Sequence, residues 1–143
     1  MYSFKFPLMK NTLLSIFICI LLLFVSACTD KSNLLTRTWK ITDLKYTKEV
    51  PEEMKPAIEK SVAEMRQSFR ITYNADGTYS TAMGENQIAG RWKLNWNSSK
   101  LSVVTSTGES KEYGVMKLQE DAFAFKAIEG GEEVIFELVP DKQ

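Results

Sequence analysis

Three pairs of adjacent carboxylates, Glu52-Glu53, Glu120-Asp121 and Glu132-Glu133, and two cysteines, Cys19 and Cys28, are the side chains of this chain whose types could do chemistry. Two carboxyl groups at a suitable separation are all that glycoside hydrolysis requires. Each of these pairs, however, falls at a helix start or in a turn, where a solvated charge is the ordinary explanation. The chain has no histidine, which removes the usual general base near neutral pH, the commonest metal imidazole and every Ser-His or Cys-His nucleophile. Asp76-Gly77 would need further acids at EF-hand spacing to hold calcium, or a lysine after a glycine-rich run to hold phosphate, and neither follows. It reads as a hairpin turn. No catalytic residue, metal site or cofactor is assigned from the sequence, and the chain is expected not to be an enzyme.

Cys28 is different because of what precedes it. Lys5 and Lys10 form a positive amino-terminal region, and Leu13 to Val25 is an apolar stretch broken by Ser15 alone, the layout of a signal peptide. As a helix that stretch spans roughly 20 Å, short of the ~30 Å hydrocarbon core of a bilayer. Val25-Ser26-Ala27-Cys28 resembles the lipobox of bacterial lipoproteins, with Val25 in the aliphatic position. The resemblance implies thioether diacylation of Cys28, cleavage before it, acylation of the new amino terminus, and a protein anchored to a membrane of the cell envelope through its acyl chains. At about 0.8 kcal/mol per buried methylene, several chains make a durable anchor. Thr29 rather than aspartate follows Cys28, so the inner-membrane retention signal of some lipoproteins is missing and the analogy favours the outer membrane, on either face of it. The alternative is an ordinary secretory signal with Cys28 next to its cut.

Removing residues 1–27 takes away Lys5, Lys10 and Cys19 and no acid, so the 18 basic and 18 acidic side chains become an excess of two acids. Such a balance offers no basic face for nucleic acid and no polybasic patch for anionic lipid heads. With Cys28 alkylated, no thiol remains for a disulfide, and the domain must stand on its core. Residues 28–33 read as the lipidated cysteine and a short polar tether, and residues 34–143 as one domain.

Within that domain the residue pattern alternates between two periods. From Leu35 to Tyr46 the chain is rich in β-branched and aromatic residues, with Trp39 and Ile41 on one side of a first strand. Met54, Ile58, Val62, Met65 and Phe69 then recur every three or four residues, which predicts one amphipathic helix over residues 52–67, with Pro51, Glu52 and Glu53 suited to its first turn. That apolar stripe could cap a barrel mouth, dock a partner or pack on its own sheet. After it, period two returns for seven more strands. Phe69, Ile71 and Tyr73 precede the turn Asn74-Ala75-Asp76-Gly77, and Tyr79, Thr81 and Met83 follow it. Ile88, Gly90, Trp92, Leu94 and Trp96 share a face, as do Leu101 and Val103. Tyr113, Val115 and Lys117 oppose Gly114, Met116 and Leu118, while Phe123, Phe125 and Ala127 precede Val134, Phe136 and Leu138. Eight antiparallel strands in succession, each with one apolar face, are best satisfied by closure, which pairs the edges that an open sheet leaves bare. The expected fold is mainly β: an eight-stranded antiparallel up-and-down barrel, with the helix between strands one and two.

Leu35-Thr36-Arg37-Thr38-Trp39-Lys40, then Ile71-Thr72-Tyr73-Asn74-Ala75-Asp76-Gly77-Thr78-Tyr79, then Gly90-Arg91-Trp92-Lys93-Leu94 together resemble the lipocalin-like domain of small bacterial lipoproteins, over residues 34–139. Arg37 stands where true lipocalins carry a glycine two residues before the tryptophan, and a Gly-x-Trp occurs later, at Gly90 to Trp92. The aromatic residues Trp39, Tyr73, Tyr79, Trp92, Tyr113, Phe123, Phe125 and Phe136 have two readings, the lining of a ligand pocket or the filling of the core, and their size in so small a domain favours core for most. Three functions follow as expectations: a non-catalytic membrane-anchored binder of a small apolar ligand, an interaction module for another envelope protein with a filled barrel as scaffold, and, behind these, a carboxylate-based hydrolase.

Overall fold

Apart from one helical connection, turns of two to five residues rich in glycine, asparagine and aspartate fold each strand back on the one before it. The structure, a computed structural model, describes residues 31–142, and Lys31–Gln143 form one compact unit. Residues 1–27, expected to be a signal peptide, Cys28, expected to be the lipid acceptor, and the first residues of the expected tether lie outside the described residues. A helical turn α1 (Ser32–Leu35) leads into strand β1 (Thr38–Tyr46). A 3-10 turn (Glu52–Met54) continues as helix α2 (Lys55–Ser68). Then come β2 (Phe69–Tyr73), β3 (Thr78–Met83), β4 (Asn86–Leu94), β5 (Lys100–Thr105), β6 (Ser110–Leu118), β7 (Phe123–Glu129) and β8 (Glu132–Pro140). Each strand pairs with its sequence neighbour, and β8 pairs back on β1 to close the barrel.

The turns sort onto two ends. At one end the β2–β3 turn has Gly77 at φ +82, the left-handed position a bulged hairpin turn requires. Asp76 there accepts from the Thr78 amide at 2.9 Å and the Thr78 hydroxyl at 2.6 Å, and these bonds hold its carboxyl below the usual range. The β4–β5 turn repeats the device, with Asn97 accepting from the amide and hydroxyl of Ser99. Turn α1 sits at this same end and closes it. The fully buried Leu35 packs into the core, and its carbonyl accepts from Trp39 Nε1 at 3.0 Å. Arg37 lies over the Trp39 ring, 5.6 Å from its centroid, and donates to the Glu120 carbonyl at 2.7 Å. The other end carries the β3–β4, β5–β6 and β7–β8 turns and the helical connection between β1 and β2.

Two bulges shift the alternation expected from the sequence. In β1 the register slips between Ile41 and Asp43, so the inward set runs Trp39, Ile41, then Leu44. The Thr42 carbonyl at this bulge accepts from Arg66 Nε at 2.5 Å, and Arg66 also lies 3.5 Å from Asp43. The bulge therefore ties α2 to the barrel wall. In β6 the slip falls between Val115 and Lys117. Leu118 thereby joins Tyr113 and Val115 on the inner side, while Met116 is 58% exposed; the expected pairing of Leu118 with Gly114 and Met116 is corrected. Three further corrections are local. Leu35, Ser32 and Asn33 belong to α1 rather than to strand one or the tether. The helix starts as a 3-10 turn, because Pro56 is tolerated within the first two positions of the α-helical stretch. Trp96 lies beyond the end of β4 and is 94% exposed, so it does not share the inner face with Trp92 and Leu94.

Candidate ligand-binding site

The inner face divides along the barrel axis into a packed layer and an open one. At the α1 end Trp39 stands 5.4 Å from Phe123, and Tyr73 meets Phe123 at 6.3 Å and Trp92 at 5.6 Å, both edge-on. Leu94 pairs with the fully buried Leu101 beside them. Trp92 Nε1 donates to the Asn74 carbonyl at 3.0 Å, so this indole is fixed against the turn. Such offset and edge contacts fill space well and fix ring orientation. No room is left at that level.

Above it lies a cavity of about 450 Å³, open at the opposite end of the barrel, within the range of small-molecule sites. Tyr73 reaches it from below, Tyr79, Tyr113, Phe125 and Phe136 line its walls, and Ile41, Leu44, Ile71 and Val103 complete an apolar lining. Phe125 and Phe136 stack 5.0 Å apart at 13°, and Tyr113 leans on Phe125 at 5.0 Å. Of the eight aromatic residues singled out in the sequence, Trp39, Trp92 and Phe123 thus lie in the packed layer, while Tyr73, Tyr79, Tyr113, Phe125 and Phe136 border the cavity. The α2 stripe splits in the same way. Val62 is buried, and Met65 and Phe69 form part of the mouth wall, whereas Met54 is half exposed.

Glu109, Lys111 and Glu129 stand at the mouth, with Lys111 Nζ 3.5 Å from Glu109. Sequence reasoning assigned these three no role; their position in or beside the β5–β6 and β7–β8 turns was the available signal. The carboxylate pairs weighed for hydrolysis lie elsewhere. Glu52-Glu53 is in the exposed 3-10 turn, and Glu120-Asp121 is in the exposed β6–β7 turn at the closed end. Glu132 and Glu133 face different partners, Lys48 at 2.9 Å and Lys126 at 2.9 Å. Among the described residues no group of three or more acids, histidines or cysteines could hold a metal ion, and no helix is long and apolar enough to cross a membrane.

The fold has a counterpart among solved structures. It is similar to the crystal structure of a DUF4847 family protein from Bacteroides vulgatus, at 17% sequence identity and a TM-score of 0.50, covering 79% of this chain and 98% of that one. That likeness concerns the fold alone. No protein-family model matches the chain, and no curated protein matches it.

The three cavity tyrosines are chemically distinct from surface phenols. Burial, with the neighbouring Tyr113 and Tyr79 adding to it, pushes the Tyr73 hydroxyl far above its ordinary value of 10.0. Burial also raises Tyr113, to about 12, with Glu129, Tyr79 and Glu109 adding to it, and raises Tyr79, with Glu109 adding. All three therefore stay protonated at physiological pH. Above pH 10 the unfolded chain gives up phenolic protons that the folded chain keeps, so stability falls as pH rises from 10 toward 12. The expected result is phenolate absorbance that grows together with loss of tertiary circular dichroism. Ionisation of the whole tyrosine set near pH 10 with the fold intact would contradict this.

Proposed function

We propose that the chain is a non-catalytic lipoprotein of the cell envelope, held in the outer membrane by acyl chains on Cys28, whose lipocalin-like barrel binds a small apolar or amphipathic molecule. The observation that carries the binding half is the cavity of about 450 Å³, walled by aromatic and aliphatic side chains and open at one end. An apolar molecule entering it would exchange water for dispersion contacts with these walls. The Val25-Ser26-Ala27-Cys28 pattern supports the anchor.

Ligand uptake is testable with the neutral dye Nile red. Saturable fluorescence is expected with the wild-type protein. Thr81→Trp, which places an indole on the cavity wall, is expected to weaken it at least about tenfold, since overpacking excludes the occupant. Binding that does not saturate, or that Thr81→Trp leaves untouched, would remove the cavity from consideration. Intact mass measured on protein from solubilised membranes addresses the anchor in the same preparation. Loss of residues 1–27 with an added acyl mass is expected, and an unmodified cysteine would refute the lipidation.

A further inference from the structure

Three hydroxyl groups in the cavity have no partner among the described residues. Tyr73 is only 2% exposed and Tyr79 5%, while Tyr113 is half buried. Among the described residues none of the three hydroxyls takes part in a hydrogen bond, although the Trp39 and Trp92 indoles nearby are both satisfied. Nor are these hydroxyls sealed off. Each keeps contact with open space, and the space all three border is the cavity. A hydroxyl that faces the cavity without a protein partner is free to bond whatever enters it, and three on one cavity make a polar spot in an otherwise apolar wall.

We infer that the hydroxyls of Tyr73, Tyr79 and Tyr113 form a polar subsite deep in the cavity that takes an uncharged oxygen function, a carbonyl or hydroxyl, at the leading end of an otherwise apolar ligand. This rests on the reading of the cavity as a binding site and specifies its substrate class. The phenols stay protonated, as their burial dictates, and so can donate to a carbonyl oxygen or exchange bonds with a hydroxyl. Charge is disfavoured at that depth. Among the described residues the single cation lining the cavity, Lys111, is at the mouth beside Glu109, so a carboxylate head would pass Glu109 and Glu129 and then meet no counter-ion among them. A cationic head would stay within reach of those two acids, whose charges already act on Tyr113 and Tyr79, but would give up its hydration for phenol oxygens alone.

The test uses four naphthalene derivatives of similar shape that displace Nile red: naphthyl methyl ketone, ethylnaphthalene, naphthoate and naphthylmethyl-trimethylammonium. With wild-type protein both charged compounds are expected to bind most weakly. Tyr73→Phe is expected to weaken the ketone by about tenfold, the usual worth of a buried hydrogen bond whose loss leaves an acceptor unpaired. It should leave ethylnaphthalene within about twofold, since the ring and its packing remain. Tyr113→Phe, at a half-buried position that tolerates change more readily, repeats the comparison. If the phenylalanine variants weaken ketone and hydrocarbon alike, or neither, the polar subsite is wrong while the apolar cavity stands. If either charged compound binds more tightly than the ketone, the assignment of a neutral oxygen is overturned. If no compound binds the wild type, both this subsite and the binding function fall.

Discussion

Trp39→Ala is expected to destabilise the domain by about 3–5 kcal/mol, the usual cost of removing a buried aromatic side chain, out of a total that for a domain of this size is on the order of 5–15 kcal/mol. Trp39 has no exposed surface and is among the largest fully buried side chains. Its ring holds Phe123 at 5.4 Å and lies under the Arg37 guanidinium. Its Nε1 donates to the Leu35 carbonyl at 3.0 Å, which also accepts from the Arg37 amide at 2.8 Å. Truncation thus does three things together. It opens a void in the packed layer, removes one of the two donors to the Leu35 carbonyl, and loosens α1, which closes this end of the barrel. Trp39→Phe separates these effects, because it retains most of the volume and loses the hydrogen bond; a cost of about 1–2 kcal/mol is expected for it. Urea unfolding followed by circular dichroism reads both. A cost for Trp39→Ala below about 1 kcal/mol would mean that the layer relaxes to fill the void.

How much of this arrangement the residues announce depends on whether a local rule governs it. The closed antiparallel barrel of eight strands was legible because Asn74 to Gly77, Gly84, Asn97 to Lys100 and Gly130-Gly131 punctuate the chain, and alternation in β7 and β8 puts Phe123, Phe125, Val134, Phe136 and Leu138 on one side. The helix was legible from its stripe. The bulges were not, since one extra residue at Thr42 or Met116 leaves no mark in composition while reversing every side chain beyond it. Trp96 misled for a related reason: alternation continued through it, but the Asx turn centred on Asn97 had already taken the chain out of β4. The division of the aromatic residues between packed layer and cavity was beyond reach. Alternation states which side of a sheet a residue faces and says nothing of its height along the barrel axis, which the stagger between strands decides. Tyr73 and Phe123 are an example: they come from strands far apart in sequence, yet their rings meet at 6.3 Å just below the cavity.

The same stagger brings Tyr79 opposite Gly90, and the second large effect is expected there. Gly90 lies in extended backbone within β4, paired with Tyr79 on one side and Thr105 on the other. A Cβ at that position would fall 2.1 Å from the Val104 carbonyl oxygen, 2.8 Å from Tyr79 Cε1 and 2.9 Å from Thr105 Cα. Two of these three obstacles are backbone, so no rotamer change relieves them; β5 must move away from β4 or the ladder between them must break. Gly90→Ala is therefore expected to cost about 2–3 kcal/mol, at the upper end of overpacking effects, although alanine is intrinsically the better residue in ordered structure by about 0.5–1 kcal/mol. Gly114 supplies the control on a strand of the same barrel. A Cβ there meets nothing nearer than the Lys126 side chain at 3.9 Å, so Gly114→Ala is expected to be neutral or to stabilise by up to about 1 kcal/mol. The displaced Tyr79 ring has one open direction, the cavity it already borders, and Gly90→Ala should on that account weaken Nile red binding in whatever fraction remains folded. Equal stabilities for the two alanine variants would show that β5 yields at Val104 without loss, and unchanged dye affinity in the folded Gly90→Ala protein would show that Tyr79 moves elsewhere than into the binding space.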